Sequence, residues 1–487
     1  MKRLDRANMA LYKERLPIKV VQFGGGNFLR TFADYLIDEM NQKTDFNAGI
    51  AVVKPTPGRG IEPLNEQDGL YHLFIKGLEN GREIEEVRVI SCIQKGINPY
   101  TDQADFLALA KGKELELLIS NTTESGIAFD ESDTLEGPYK SFPAKVTALL
   151  HTRYEYFEGA TDKGLTIMPC ELTDRNADAL KEIVLWYAEL WKLEVGFVEW
   201  LEAHNSFLNT LVDRIVSGYP EDDINAYQSE LEYEDRLIVT SEVYLLWVIE
   251  GGEELRSKIP FDAIDENILI VDDLQPYRTR KVRILNGAHT SMVPFSILFG
   301  NETVKETMDD KFTGTFIKKT VFEEINPTLG FPSGELEAFA EAIFDRFKNP
   351  FIRHRLSNIA LNSISKFRVR VLPSLLTFQK RYGRLPSRLT FAFACLIRFY
   401  GGQWKGKQLP VNDEEQLVSE MKNIWACKNY ETIAEKTLKK LDLTKISELK
   451  RQMAFVLKAI DTKGIQKGYE TFSLEFPPLQ NKENHEE

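Results

Sequence analysis

Cysteine is scarce. The four present, Cys92, Cys170, Cys395 and Cys427, lie far apart with no CxxC pair; this excludes a disulfide framework and a zinc ribbon and leaves each the role of a small apolar residue. The six histidines, His72, His151, His204, His289, His354 and His485, show neither HxxxH nor HExxH spacing, so no metal site is expected. No stretch approaches the roughly 18 uninterrupted apolar residues of a membrane span. The opening MKRLDRANMALYKERLP lacks the apolar centre of a signal peptide, so a cytoplasmic location is expected. Positive charge is also short: 61 Lys plus Arg against 74 Asp plus Glu give a formal charge of −13. That acidic field argues against nucleic acid or an anionic membrane surface as partner, and it poses a problem for any anionic substrate.

What is present is a globular composition, 43% hydrophobic over 487 residues, enough to fill the cores of about two to four domains. The amino half alternates apolar runs with amphipathic stretches, the βαβ pattern of a parallel sheet covered by helices. Strands are expected at Pro17 to Phe23, Ile50 to Val53, Leu117 to Ser120 and Leu165 to Pro169, and helices at Ala179 to Leu193 and Val198 to Ser217. Past Pro276 the periodicity is almost continuously helical: Lys281 to Leu298, Leu336 to Phe347, Pro386 to Tyr400 and Ile433 to Ile460. The fold class expected is α/β, a Rossmann-type domain over residues 1–275 followed by a mostly helical domain over 276–487. There is no internal repeat, and the polar end, Gln480 to Glu487, is expected to fray.

The first strand runs through Phe23 into Gly24-Gly25-Gly26-Asn27-Phe28-Leu29-Arg30 and a helical pattern. Glycines let a backbone approach phosphates, and a helix start offers free N–H groups and partial positive charge, so this turn is a candidate pyrophosphate seat with Arg30 as an added cation. Leu29 stands where a third glycine usually would, and an ordinary tight turn is the alternative. The second strand ends in Lys54 rather than an acid. A basic residue there suits a 2′-phosphate, which keeps NADP open beside NAD.

Lys281-Val-Arg-Ile-Leu-Asn286-Gly-Ala-His289 opens the helical half. On an α-helix Asn286 stands ~140° and His289 ~80° around from Lys281, so all three can reach one cleft. A lysine can exchange a proton with a substrate oxygen, an asparagine can donate to a developing oxyanion, and a histidine can orient a hydroxyl. A solvated lysine with a capping asparagine is the plainer reading of the same spacing.

KVRILNGAH resembles the Lys-x4-Asn-x2-His signature of the polyol-specific long-chain dehydrogenases, the mannitol dehydrogenase family. GGGNFLR, QDGLY (67–71), NTTESGI (121–127), FPAKVTALL (142–150), NTLVDRIVSGYP (209–220) and RFKNPFIRH (346–354) resemble other family segments in order. The resemblance implies a Rossmann-type domain, a helical domain, an active site between them, NAD as cofactor and no metal. It implies Lys281 as proton donor, Asn286 as oxyanion donor and His289 as substrate ligand. It also implies Asp213 near the lysine or a hydroxyl, Asn121 in the cofactor loop, and Glu124 in the same loop as an acid near the substrate entrance; an ion-paired helix-surface carboxylate and a loop-capping carboxylate are the plainer readings of Asp213 and Glu124. Leu29, Leu172, Asn358 and Asn362-Ser363 depart from polyol members and point to the branch that reduces the keto group of hexuronates, with Asn176 as candidate second oxyanion donor. Another hexuronate or a neutral ketose is the alternative substrate; a dinucleotide-binding protein without catalysis is the remote alternative.

The anion problem eases locally. Glu221 to Asp235 holds seven acids and no Lys or Arg, whereas Arg353, His354, Arg355, Lys366, Arg368 and Arg370 lie in a segment free of acids from Phe351 to Pro373. Apolar residues thread through that segment, so some of its cations face inward. His354 and Lys366 are the favoured contacts for a substrate carboxylate.

Overall fold

The computed structural model describes residues 1–57, 60–122, 125–264, 267–446 and 448–479. The chain divides into two compact units: residues 1–77 with 83–274, and residues 78–82 with 275–487.

Unit 1 is built on a six-stranded sheet of β1 (Ile18–Phe23), β2 (Gly49–Val53), β3 (Ile93–Ile97), β4 (Leu117–Ser120), β5 (Thr166–Pro169) and β6 (Ser206–Phe207). The strands are parallel in the order β3-β2-β1-β4-β5-β6, which is the doubly wound Rossmann order. Successive residues of β1 point to opposite faces: Val20 joins one apolar cluster with Ile50, Val52 and Leu117, and Val21 joins another with Ala51, Val53 and Leu118. Both faces are therefore covered, which is why these strands read as mostly apolar runs rather than as an apolar/polar alternation. Helices α1 (Asn27–Thr31) and α2 (Ala33–Lys43) follow β1; α3 (Phe142–Tyr156) and α4 (Asn176–Leu190) follow β4 and β5. The Ser141 hydroxyl caps α3 by accepting from Ala144 N–H at 3.1 Å.

Two helical expectations are corrected. The helix expected over Val198 to Ser217 spans Val195–His204, after which the chain runs through β6 and the strands Thr210–Asp213 and Val216–Gly218. Leu208, Thr210 and Val212 alternate at the strand period, and short apolar runs do not distinguish the two periods. The stretch Ile433 to Ile460 is two helices, Tyr430–Lys440 and Leu449–Lys463, broken where Asp442 and Glu448 take φ of 53° and 64°. Residues Gln480 to Glu487 lie outside the described residues.

Unit 2 is helical around α6 (Gly287–Phe299), which continues from α5 (Gln275–Lys281) through the π turn Val282–Asn286. Nearly every residue of α6 is buried, the mark of a central helix. Phe295 stacks on Phe316 at 4.2 Å, and α9 (Ser387–Phe399) packs alongside. The remaining elements that matter to the site are α7 (Ser363–Arg370) and α8 (Leu372–Tyr382). Cys92, Cys170 and Cys395 are buried; Cys427 is exposed, with Lys436 Nζ donating to its Sγ at 3.2 Å, so the small-apolar expectation fails there. Among the described residues no helix is long and apolar enough to cross a membrane.

Candidate functional site

In unit 1 the strand order reverses between β1 and β4, and the glycine turn lies at that point, outside the carboxyl ends of the strands. Gly24 N–H donates to Val53 O at 3.0 Å. Its φ is +115°, and a Cβ there would stand 2.7 Å from the Asn121 carbonyl oxygen, so the turn closes against the β4 loop only with glycine. A Cβ on Gly26, at the mouth of α1, would meet nothing within 4 Å. The turn is thus rigid at one end and open at the other, where the first N–H groups of α1 point.

The remaining cofactor candidates separate in the structure. Phe23 is wholly buried, its ring edge-on to Phe106 and Phe142 at 6.0 and 5.1 Å, so only its backbone borders the turn. Phe28 stacks on Phe32 at 4.9 Å. Arg30 is corrected: its guanidinium is buried, donating to Leu237 O and Asn27 Oδ1 at 2.5 and 2.6 Å above the Tyr71 ring. It braces the turn from within rather than facing a phosphate, and Asn27 spends its carbonyl on the same brace. Lys54 is 8% exposed, and its Nζ has no hydrogen-bond partner among the described residues. A buried ammonium without an acceptor is costly, and this one lies at the end of β2. One residue on, Pro55, Thr56, Phe129, Lys140 and Phe142 line a cavity of about 680 Å³. Glycine turn, orphaned ammonium and cavity together fit a dinucleotide. Glu124 lies outside the described residues.

Asn121 Nδ2 donates to Cys170 O at 2.7 Å, joining the ends of β4 and β5. The sequence reading passed over Glu171, whose buried carboxylate accepts from Thr122 N–H and Oγ1 and from Ser120 Oγ at 2.9 to 3.0 Å and is pushed upward in pKa by burial. An acid directly after an apolar strand was the available signal. Asn176 is corrected. Its amide donates to Pro169 O, Glu171 O and Thr210 O at 2.8, 3.0 and 3.2 Å while its Oδ1 accepts from Thr210 and Ala177 N–H. Two N–H hydrogens shared among three carbonyls leave none for an oxyanion. Asp213 ends a strand and is buried, which removes its reading as a helix-surface carboxylate.

In unit 2, Lys281 closes α5, Asn286 closes the π turn, and His289 lies in the first turn of α6. Residues five apart stand ~140° apart on a straight α-helix; an i→i+5 turn brings them toward one face, and such turns recur at functional sites. The π turn therefore reduces the angle between Asn286 and Lys281 below that of an unbroken α-helix. Arg278 to Arg283 is a second stretch with basic residues and no acid, but Arg280 within it is buried against Tyr277, Phe331 and Phe339 and paired with Glu335, anchoring α5 rather than facing a ligand.

His289 lies against the rings of Phe347 and His354, 4.3 and 5.2 Å away. Burial lowers the His354 pKa and favours its neutral ring. Lys366 is half-buried on α7, donates to Ile359 O at 2.9 Å, and has its pKa lowered by burial and then by Arg370. Arg353, Arg355 and Arg368 are exposed. A lysine, an amide and an imidazole on one helix offer a proton donor, an oxyanion donor and an orienting group for a carbonyl becoming an alcohol.

Family models match both halves: the mannitol dehydrogenase Rossmann domain over residues 18–262 and the mannitol dehydrogenase C-terminal domain over 273–461. An altronate oxidoreductase of Yersinia pestis is 45% identical over 469 residues, covering 94% of this chain and 97% of that protein. A D-sorbitol dehydrogenase structure in substrate-free form has a TM-score of 0.78 at 21% identity, covering 93% of this chain and 95% of that one. Pseudomonas fluorescens mannitol 2-dehydrogenase, in ternary complex with NAD and D-mannitol, has a TM-score of 0.68 at 21% identity, covering 98% and 100%.

Proposed function

The chain belongs to the mannitol dehydrogenase family, and from that membership we propose that it is a cytoplasmic, NAD-dependent altronate oxidoreductase interconverting D-tagaturonate and D-altronate in hexuronate breakdown. The observation that carries this reading is the π turn between Lys281 and Asn286, packed beside a helix, α7, that carries cations and no acid.

Bound NADH supplies the hydride. Lys281 Nζ gives the proton that completes the new hydroxyl and takes it back in the reverse direction. The Asn286 amide donates to the substrate oxygen as negative charge builds there, and His289 orients a neighbouring hydroxyl. His354 and Lys366 meet the far end of the sugar acid. On the cofactor side, Gly24 to Gly26 would hold the pyrophosphate, Lys54 the adenosine ribose, and the cavity past Pro55 the adenine.

NADH oxidation measured side by side with D-tagaturonate, D-fructuronate and D-fructose tests the substrate. The highest kcat/KM is expected with D-tagaturonate; a higher value with D-fructose would overturn the sugar-acid reading.

A further inference from the structure

Helix α7 contains three cations and no acid. Arg368 is exposed and donates to Leu441 O at 2.7 Å. Lys366 and Arg370, spaced i,i+4, share the opposite, half-buried side. Like charges at that spacing repel. The Arg370 guanidinium makes no hydrogen bond or ion pair among the described residues, and burial lowers its pKa. Asp413, whose field reaches Lys366, accepts a hydrogen bond from Tyr400 Oη. Asp413 offsets Lys366 only through its field: among the described residues neither Lys366 nor Arg370 forms an ion pair with a carboxylate, and two neighbouring, partly desolvated cations in that state are an arrangement that an anion relieves.

The position of Arg370 relative to Asn286 is set by Gly287. A Cβ on Gly287 would stand 3.1 Å from the Arg370 carbonyl oxygen, so glycine lets the end of α7 press on the helix one residue past Asn286. Arg283, inside the π turn, donates to Ser374 Oγ at 3.1 Å and ties the same turn to α8, directly after Arg370.

We propose that Arg370 is the residue that selects a sugar acid over a neutral ketose, its planar guanidinium taking the substrate carboxylate bidentately while Lys366 neutralises it from one helical turn away. The assignment rests on the reading of the chain as a hexuronate reductase and adds to it the group that reads the acid. An arginine fork matches a carboxylate in a way that a lysine point charge does not.

The test compares wild type, Arg370→Gln and Arg370→Lys on D-tagaturonate and on D-tagatose, which carries a hydroxymethyl group in place of the carboxylate. Arg370→Gln is expected to raise KM for D-tagaturonate about 10- to 100-fold, the loss of one charged hydrogen-bonded contact. Its kcat should change little, and KM for D-tagatose should stay the same. Arg370→Lys should fall between. The melting temperature should stay level or rise slightly, because the repulsive pair is gone. If wild type handles D-tagatose as efficiently as D-tagaturonate, the sugar-acid reading falls and this assignment with it. If wild type discriminates and Arg370→Gln discriminates equally well, the sugar-acid reading stands and the Arg370 assignment alone is overturned.

Discussion

Alanine at position 24 would put a methyl group 2.7 Å from the Asn121 carbonyl oxygen on a backbone held at φ +115°. That region is nearly closed to L residues, at about 1–3 kcal/mol, and pressing a methyl into a packed site adds about 1–3 kcal/mol more. Asn121 has little room to yield, because its N–H donates to Phe23 O at 3.0 Å and its side chain to Cys170 O at 2.7 Å. Partial relaxation leaves about 3 kcal/mol, or a melting point lower by about 6–12 °C at 2–4 °C per kcal/mol. Gly26→Ala is the matched control: its backbone, φ −72° and ψ 169°, suits any residue and its Cβ would meet nothing within 4 Å. Stability should then change by no more than about 0.5 kcal/mol. Yet the methyl would fill the space assigned to the pyrophosphate, so NADH affinity should weaken at least about tenfold, about 1.4 kcal/mol. Calorimetry with NADH fluorescence titration separates the two effects. Wild-type NADH affinity in Gly26→Ala would refute the placement of the phosphates, and a wild-type melting point in Gly24→Ala would refute the strain argument.

Lys281→Ala should lower kcat by about 100- to 10,000-fold, the usual share of a general acid, with NADH affinity kept; equal turnover would remove Lys281 from its role. Lys54→Leu should weaken NADH binding and leave the melting point level or raised, since a buried unpaired ammonium disappears; unchanged affinity would separate Lys54 from the ribose. Burial pushes the Asp34 carboxyl up to about 7. Its folded pKa lies above its unfolded one, so the stability of the protonated form is complete below about pH 4 and lost as pH rises through 7, by at most about 4 kcal/mol. Asp34→Asn should flatten the melting-versus-pH curve between pH 4 and 8; a profile as steep as wild type would show that Asp34 does not titrate there.

The parallel strands β1, β2, β4 and β5 were legible because both of their faces are buried, and a short, mostly apolar run bounded by turn-forming or polar residues admits few other readings. The strands Thr210–Asp213 and Val216–Gly218 were not, because a short run of alternating apolar residues also fits a helix. For the site, residue type was the limiting information. Asn176 has the right chemistry for an oxyanion donor, and only the three carbonyls around it show that its hydrogens are committed. Arg30 and Arg280 are cations in motifs that suggest ligands, and only their burial against rings and carbonyls shows that they serve the framework.

By itself, the sequence determined what local chemistry dictates: a glycine turn after a strand, a Lys-x4-Asn-x2-His run at the head of a helix, and an acid-free cationic segment in an acidic protein. The tertiary structure decided which of those groups remain available to a ligand. Availability depends on what every neighbouring element has already taken, and hydrogen bonds across long separations leave no mark in a linear pattern. It also decided the π turn at Val282–Asn286 and the approach of Arg370 to Gly287, neither of which a linear pattern shows: a glycine permits a close contact without saying which segment makes it.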